Sequence, residues 1–232
     1  PCFAYADELN VPEVIDQAVA MEINGESVAL AGTEDTAITE IATVEQLQNF
    51  AQTVNAGTNY KNVTVNLNAS LDLKGIEWAP IGTAAASFQG TFEGNGHTIS
   101  NVDIHGSGND TGFFGVVNGA AGQNVTLDTV TISGNKENTG ALIGRMIGST
   151  ISGCTVTNAN FSTGYSSASG VLVGANYTGK IMNCAVSYST LEGYQYVGGI
   201  AGTGYSTITG CTVDNVQVSA SYWKCGGVLG QW

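Results

Sequence analysis

A repeat constrains this chain more than any other feature. Short apolar blocks bracketed by glycine recur as Gly112-Phe-Phe-Gly115, Gly140-Ala-Leu-Ile-Gly144, Gly170-Val-Leu-Val-Gly174, Gly198-Gly-Ile-Ala-Gly202 and Gly226-Gly-Val-Leu-Gly230, with first glycines 28, 30, 28 and 28 residues apart. A second element keeps step with them: Ile151-x-x-Cys154-x-Val156, Ile181-x-x-Cys184-x-Val186 and Ile208-x-x-Cys211-x-Val213, with Val125-x-x-Asp128-x-Val130 as a degenerate first copy. A third follows as Ala159-x-Phe161, Ser189-x-Leu191 and Val216-x-Val218. Each unit offers three short strands separated by Gly, Ser, Asn and Thr corners, with too little helical periodicity for a leucine-rich or βαβ repeat. One such unit cannot bury its own apolar side chains. Stacked units can, with equivalent strands about 4.8 Å apart and like side chains in ladders.

Crossovers between parallel strands of one sheet are almost always right-handed. The expected fold is therefore all-β, a right-handed parallel β-helix with three strands per coil of about 28 residues. Glycines at the block edges then serve corners of positive φ or close approaches of backbone to backbone.

Upstream the composition changes. Ten of the 19 carboxylates precede residue 46, whereas only Gly25, Gly32 and Gly57 of the 32 glycines lie in the first 57 residues. Residues 1–6 end in Ala4-Tyr5-Ala6, an A-x-A pattern that suits the tail of a signal peptide and predicts export. Residues 7–42 form an acidic segment in which Val11–Ala20 reads as a short helix. Val19–Ile23 and Ser27–Leu30 flank Asn24-Gly25 as a hairpin with a type I′ turn. Residues 43–232 form the capped β-helix, and since the chain stops two residues after the fifth glycine block, a truncated last coil is expected. The cap is one strong helix: Thr43 as N-cap, Gln46 as its capping-box partner, Leu47, Phe50, Ala51 and Val54 on one face, and Gly57 as the stop. Val63, Val65, Leu67, Ala69, Leu71 and Leu73 then alternate with polar residues as a single long half-buried strand.

The glycine-bracketed blocks resemble the GLUG motif, a repeat of bacterial surface and secreted proteins that also occurs beside the catalytic domain of IgA-cleaving metallopeptidases. The run from Thr43 through Trp78-Ala-Pro80-Ile81-Gly82 to Phe88-Gln-Gly90-Thr91-Phe92-Glu-Gly94-Asn95-Gly96-His97 is similar to the segment that precedes those repeats. The resemblance covers roughly residues 39–232 and implies an extracytoplasmic β-helical module. It implies no reaction, because fold does not determine function and the chain lacks the His-Glu-x-x-His signature of those peptidases.

Motifs for chemistry are sparse. A formal charge of −13 with one arginine, Arg145, excludes nucleic acid and anionic membrane surfaces as partners, and no apolar run is long enough for membrane insertion. His97, His105, Asp103, Asp110 and Glu93 form the one cluster with metal-ligating or acid/base potential, although Gly94-Asn95-Gly96-His97 reads first as a turn. No metal or cofactor motif is present: there is no C-x-x-C and no calcium-binding nonapeptide. Nor is there an Asp-x-Asp pair for a glycosidase, and a polysaccharide lyase would find few basic residues. Cys154, Cys184 and Cys211 share one position of three coils and read as a reduced, inward-facing ladder, dry enough that a hydroxyl in place of Cys184 would lack a partner. Tyr165, Tyr194, Tyr196, Tyr222 and Trp223 fall at one phase of the repeat and predict an aromatic edge suited to sugar faces. Tyr177 and Tyr205 recur at another phase, as a second stack.

These observations favour a non-catalytic, exported or surface-displayed module with a structural or adhesive role, whose binding partner would be a neutral or cationic glycan or a protein. The alternative is a carbohydrate-active enzyme of pectin-lyase-like shape, which requires a concave site with converging Asp, Glu or Arg.

Overall fold

A computed structural model describes residues 20–23, 26–29, 37–105, 108–134, 137–205 and 207–231. The signal-peptide remnant, the Val11–Val19 part of the short helix, and Cys2 lie outside the described residues. The chain divides into two units, Pro1–Thr36 and Ala37–Trp232. In the first, Ala20–Ile23 pairs antiparallel with Glu26–Ala29 in the register Ile23↔Glu26, as expected of the hairpin, whose turn lies outside the described residues. The second unit begins six residues earlier than the expected start at 43, because Glu40–Ile41 pairs in parallel with Asn66–Leu67 and forms the first rung of the stack.

The second unit is a β-solenoid. Its strands run parallel in four sheets, called I to IV here, and sheet I carries seven strands, one per coil. A coil in mid-stack passes through sheet I at Thr150–Ser152, sheet II at Thr155–Thr163, sheet III at Ala168–Gly170 and sheet IV at Val173–Tyr177. The register joins Ile151 to Ile181 and Ile208, and Val156 to Val186 and Val213, so the spacing read in the sequence is the spacing of the coils. The three sequence elements thus occupy four sheets: the Ile-x-x-Cys-x-Val element turns from sheet I into sheet II, the Ala159-x-Phe161 element continues sheet II, and the glycine-bracketed block makes the corner between sheets III and IV.

Two expectations need correction. The alternation from Val63 to Leu73 is not one strand. It breaks after Leu67 and resumes at Leu71, with the first half in sheet I and the second in sheet II; the apolar period survives because Val65, Leu67, Leu71 and Leu73 all point inward on both sides of the corner. The degenerate copy is also displaced by three residues. Gly122 pairs with Ile151 and Leu127 with Val156, so Val125 holds the Cys154 position, while Asp128 faces out and accepts from Asn158 Nδ2 at 2.7 Å. Glycine replaces isoleucine at 122, where a Cβ would stand 3.2 Å from the Ile151 side chain.

The block glycines serve close approach rather than positive φ. A Cβ on Gly140 would lie 2.4 Å from Ile143 O and 2.6 Å from Gly174 N, and one on Gly174 would lie 2.4 Å from Thr139 N. Sheets III and IV therefore meet backbone to backbone, at a distance no side chain permits. Left-handed backbone falls elsewhere, on other glycines and on asparagines. Asn101, Thr129, Asn158, Tyr188 and Asn215, with φ between 49° and 58°, kink sheet II at one position of five successive coils. Asparagine tolerates this conformation because its short side chain bonds locally.

The helix spans Val44–Asn55, and both halves of the Thr43/Gln46 capping box are present. Leu47, Phe50 and Val54 are fully buried over the first coils. Phe50 meets Tyr60 and Phe88 edge to face at 5.0 and 5.6 Å, and Trp78 stacks on Phe113 while donating its indole N–H to Phe113 O at 3.0 Å. Rings crowd the capped end; beyond it the core is mostly aliphatic, with Phe161, Met146 and the cysteines among the Ile, Val and Leu side chains. A cavity of about 10 Å³ lies beneath Phe88, Phe114 and Leu142, lined almost wholly by apolar side chains. Ile208, Val213 and Val218, on the last rungs described, are half-buried.

Candidate functional site

The aromatic edge forms where sheet II turns toward sheet III. Tyr194 and Tyr222 stack face to face at 4.9 Å with 7° between their planes, Tyr165 meets Tyr194 edge-on at 5.0 Å, and Trp223 lies 5.7 Å from Tyr222 and 6.4 Å from Tyr196. Backbone bonds hold the turns in step, since the Tyr222 N–H donates to Tyr194 O at 3.0 Å. The five predicted side chains are thus one contiguous cluster. Tyr165 is 72% exposed, Tyr222 58% and Trp223 55%, while Tyr194 and Tyr196 are half-buried between them. The rings pack on one another and still present faces to water.

Tyr177, at the end of a sheet IV strand, and Tyr205, just beyond the end of the next, are both exposed, and together with Tyr196, Thr203 and Gln231 they line a cleft of about 230 Å³. Tyr196 belongs to both surfaces. The Gln231 Oε1 acceptor is buried there and has no partner among the described residues.

A second, larger cleft of about 640 Å³ includes Asp110, Glu137, Asn138 and Arg145 in its walls. Arg145 Nη2 pairs with Asp110 Oδ2 at 2.9 Å, and Asn138 Nδ2 donates to Asp110 Oδ1 at 2.7 Å, while Arg145 Nε is buried and has no partner among the described residues. No sequence motif points to this site. Its one legible signal is that the chain's single arginine falls inside a repeat position held by valine or alanine in neighbouring coils.

The His, Asp and Glu residues weighed as a candidate cluster are dispersed. Among the described residues no three His, Cys, Asp or Glu side chains converge as metal ligands. Asp110 joins Arg145, Glu93 accepts from Asn124, and His97 stands at the head of the column continued by Val125 and Cys154, after the turn formed by Asn95 and Gly96. His105 alone keeps a predicted neighbour: Nε2 meets Asp103 Oδ2 at 3.0 Å and Nδ1 meets Ser133 Oγ at 2.6 Å. The residue types are those of a hydrolase triad, but the His and Asp side chains are 48% and 46% exposed, and at that exposure water screens the contact on which base activation depends.

Cys154 and Cys184 are free and buried, and Cys211, in the last coil, is partly exposed. The Cys184 proton has two acceptors within reach, Met182 O at 3.3 Å and the Cys154 sulfur, so the column is not without hydrogen-bond partners. The hydrogen bond with Cys154, followed by burial, pushes the Cys184 thiol far above its ordinary range, and burial raises Cys211. Such thiols are poor nucleophiles.

No family model matches the chain. It is 36% identical over 114 residues to a candidate Gly-rich membrane protein of Evansella cellulosilytica, a match covering 47% of this chain and 13% of that protein. It is 33% identical over 108 residues to halomucin of Haloquadratum walsbyi, covering 42% of this chain and 1% of halomucin. The chain therefore matches small portions of much longer proteins. A candidate immunoglobulin A1 protease from Bacteroides ovatus aligns over 84% of both chains at 16% identity with a TM-score of 0.32, too distant a likeness to support any argument. Among the described residues, no helix is long and apolar enough to cross a membrane.

Proposed function

We propose that this chain is a GLUG-type β-solenoid module of an exported or surface protein, with a structural and adhesive role, that binds glycans along its aromatic edge. The supporting observation is the cluster of Tyr165, Tyr194, Tyr196, Tyr222 and Trp223, which is mutually stacked yet open to water. Exposed rings offer apolar faces to the C–H patches of sugars, and a net charge of −13 disfavours uronates. A glycan array probed with the intact protein and with the Trp223→Ala, Tyr194→Ala double variant tests the reading. The double variant should bind at least about tenfold more weakly, as the loss of two ring contacts would give. Equal binding by both proteins, or none by either, leaves only the structural role.

The enzyme alternative gains a concave site with Asp110, Glu137 and Arg145. Asp110, however, is engaged by both Arg145 and Asn138, an arrangement that suits holding hydroxyls better than exchanging protons.

A further inference from the structure

The two clefts are joined by the register of the solenoid. On sheet IV, Arg145 pairs with Ala175, Ala175 with Thr203 and Thr203 with Gln231, one column on four successive coils. On sheet III, Asp110 pairs with Asn138, Asn138 with Ala168, and the Ser169↔Val197 pairing puts Tyr196 in register with Ala168. At one end the two columns carry Asp110, Asn138 and Arg145, which line the polar cleft. At the other they carry Tyr196, Thr203 and Gln231, which line the aromatic cleft. The coil between has alanine in both columns, Ala168 and Ala175, which are buried, so the columns themselves place no large side chain between the clefts. Two rungs separate Arg145 from Thr203, about 10 Å along the stack.

One residue in the wall of each cleft also has a buried polar atom without a partner among the described residues: a donor, Nε of Arg145, beside the polar cleft, and an acceptor, Oε1 of Gln231, beside the aromatic one. Leaving such atoms unpaired is costly, so a ligand that hydrogen-bonds to both gains at both ends. Sugar hydroxyls donate and accept, and their rings supply C–H faces for Tyr196 and Tyr205. The Arg145 charge is already matched by Asp110, and the acidity of the whole chain repels polyanions.

We propose that the polar and aromatic clefts are two subsites for one linear, neutral glycan lying along the solenoid axis. This rests on the glycan-binding reading above and adds to it the direction, length and polar end of the bound chain.

The test uses the intact chain and titrates cello-, chito- and manno-oligosaccharides, as disaccharides and as hexasaccharides, by calorimetry. One hexasaccharide series should bind at least about tenfold tighter than its disaccharide, because the second subsite is engaged at high effective concentration. Tyr205→Ala should reduce hexasaccharide binding to the disaccharide level. So should the Arg145→Gln, Asp110→Asn pair, which removes both charges of the ion pair together. If that pair melts early, Glu137→Arg, at an exposed position, obstructs the polar cleft without touching the core and should have the same effect. A hexasaccharide that binds no tighter than its disaccharide, or binding that depends on Tyr205 but on none of the polar-cleft variants, would overturn the proposal and leave glycan binding standing. Absence of binding at any length, with a blank array, would remove glycan binding itself. Release of new reducing ends from a bound hexasaccharide would show that the cleft cuts rather than holds, and overturns the proposal in the other direction.

Discussion

Cys184 shows how a single side chain is judged differently once its neighbours are known. Taken as a member of a dry ladder, its replacement by serine should cost about 1–3 kcal/mol, the penalty for an unpartnered hydroxyl. The sulfur, however, stands 3.3 Å from Met182 O, two residues back along the chain. Ser149 and Ser189 donate to the carbonyl two residues back at 2.8 Å at other corners of the solenoid. A serine at 184 can therefore do the same, and Cys184→Ser should cost about 1 kcal/mol or less in urea unfolding. A loss above about 2 kcal/mol would mean that the hydroxyl finds no acceptor. Amide partners play a comparable part on the surface, where Asp72 is held below the usual carboxylate range first by Asn101 Nδ2 at 2.7 Å and then by the Lys74 backbone N–H.

Among the elements, the pairing of sheets III and IV depends most on residue size. Gly174 leaves no room for a methyl group, which would stand 2.4 Å from Thr139 N and 2.6 Å from Gly144 O, both rigid backbone atoms. Gly174→Ala should destabilise the fold by about 3 kcal/mol or more, at the upper end of overpacking costs. Gly227 sits in the last block, where a methyl group would have nothing within 4 Å, so Gly227→Ala should stay within about 0.5 kcal/mol of the parent. Equal losses at the two sites, measured by denaturant unfolding, would mean that backbone contact does not explain the glycines. The helical cap was legible because all its signals are local: the Thr43/Gln46 box, the four-residue apolar face and Gly57 lie within fifteen residues of one another. The split of 63–73 into two strands was not, because a corner that keeps the same face inward leaves the alternation of apolar residues intact.

For the whole molecule, charge is the unbalanced quantity. Among the described residues the carboxylates find amides more often than cations: Glu40 accepts from Asn66 and Asn68, Asp72 from Asn101, Glu93 from Asn124, Asp110 from Asn138 and Asp128 from Asn158. These bonds satisfy the oxygens but leave the negative charge in place, and the chain carries −13. Mutual repulsion should therefore lower stability at low ionic strength, and melting temperature should rise between about 10 mM and 0.5 M sodium chloride as the screening length shortens. A flat or falling melting curve over that range would show that the charges are too far apart to matter.

The sequence by itself determined the stack. Period, inward side chains, cap and the phase of the five rings are all consequences of local pattern repeated, and each coil needs only its neighbours to realise it. What the tertiary structure decided were the relations between different elements of one coil and between coils out of phase. These include the close meeting of sheets III and IV, the three-residue shift that puts Val125 rather than Asp128 in the cysteine column, the dispersal of the His and Asp cluster, and the assembly of Asp110, Asn138 and Arg145 beside one another. Spacing along the chain states which residues share a column. It does not state which two columns face each other across a corner, because that depends on how the backbone bends between strands, and here the bend is set by contacts of glycine with backbone atoms of the neighbouring coil.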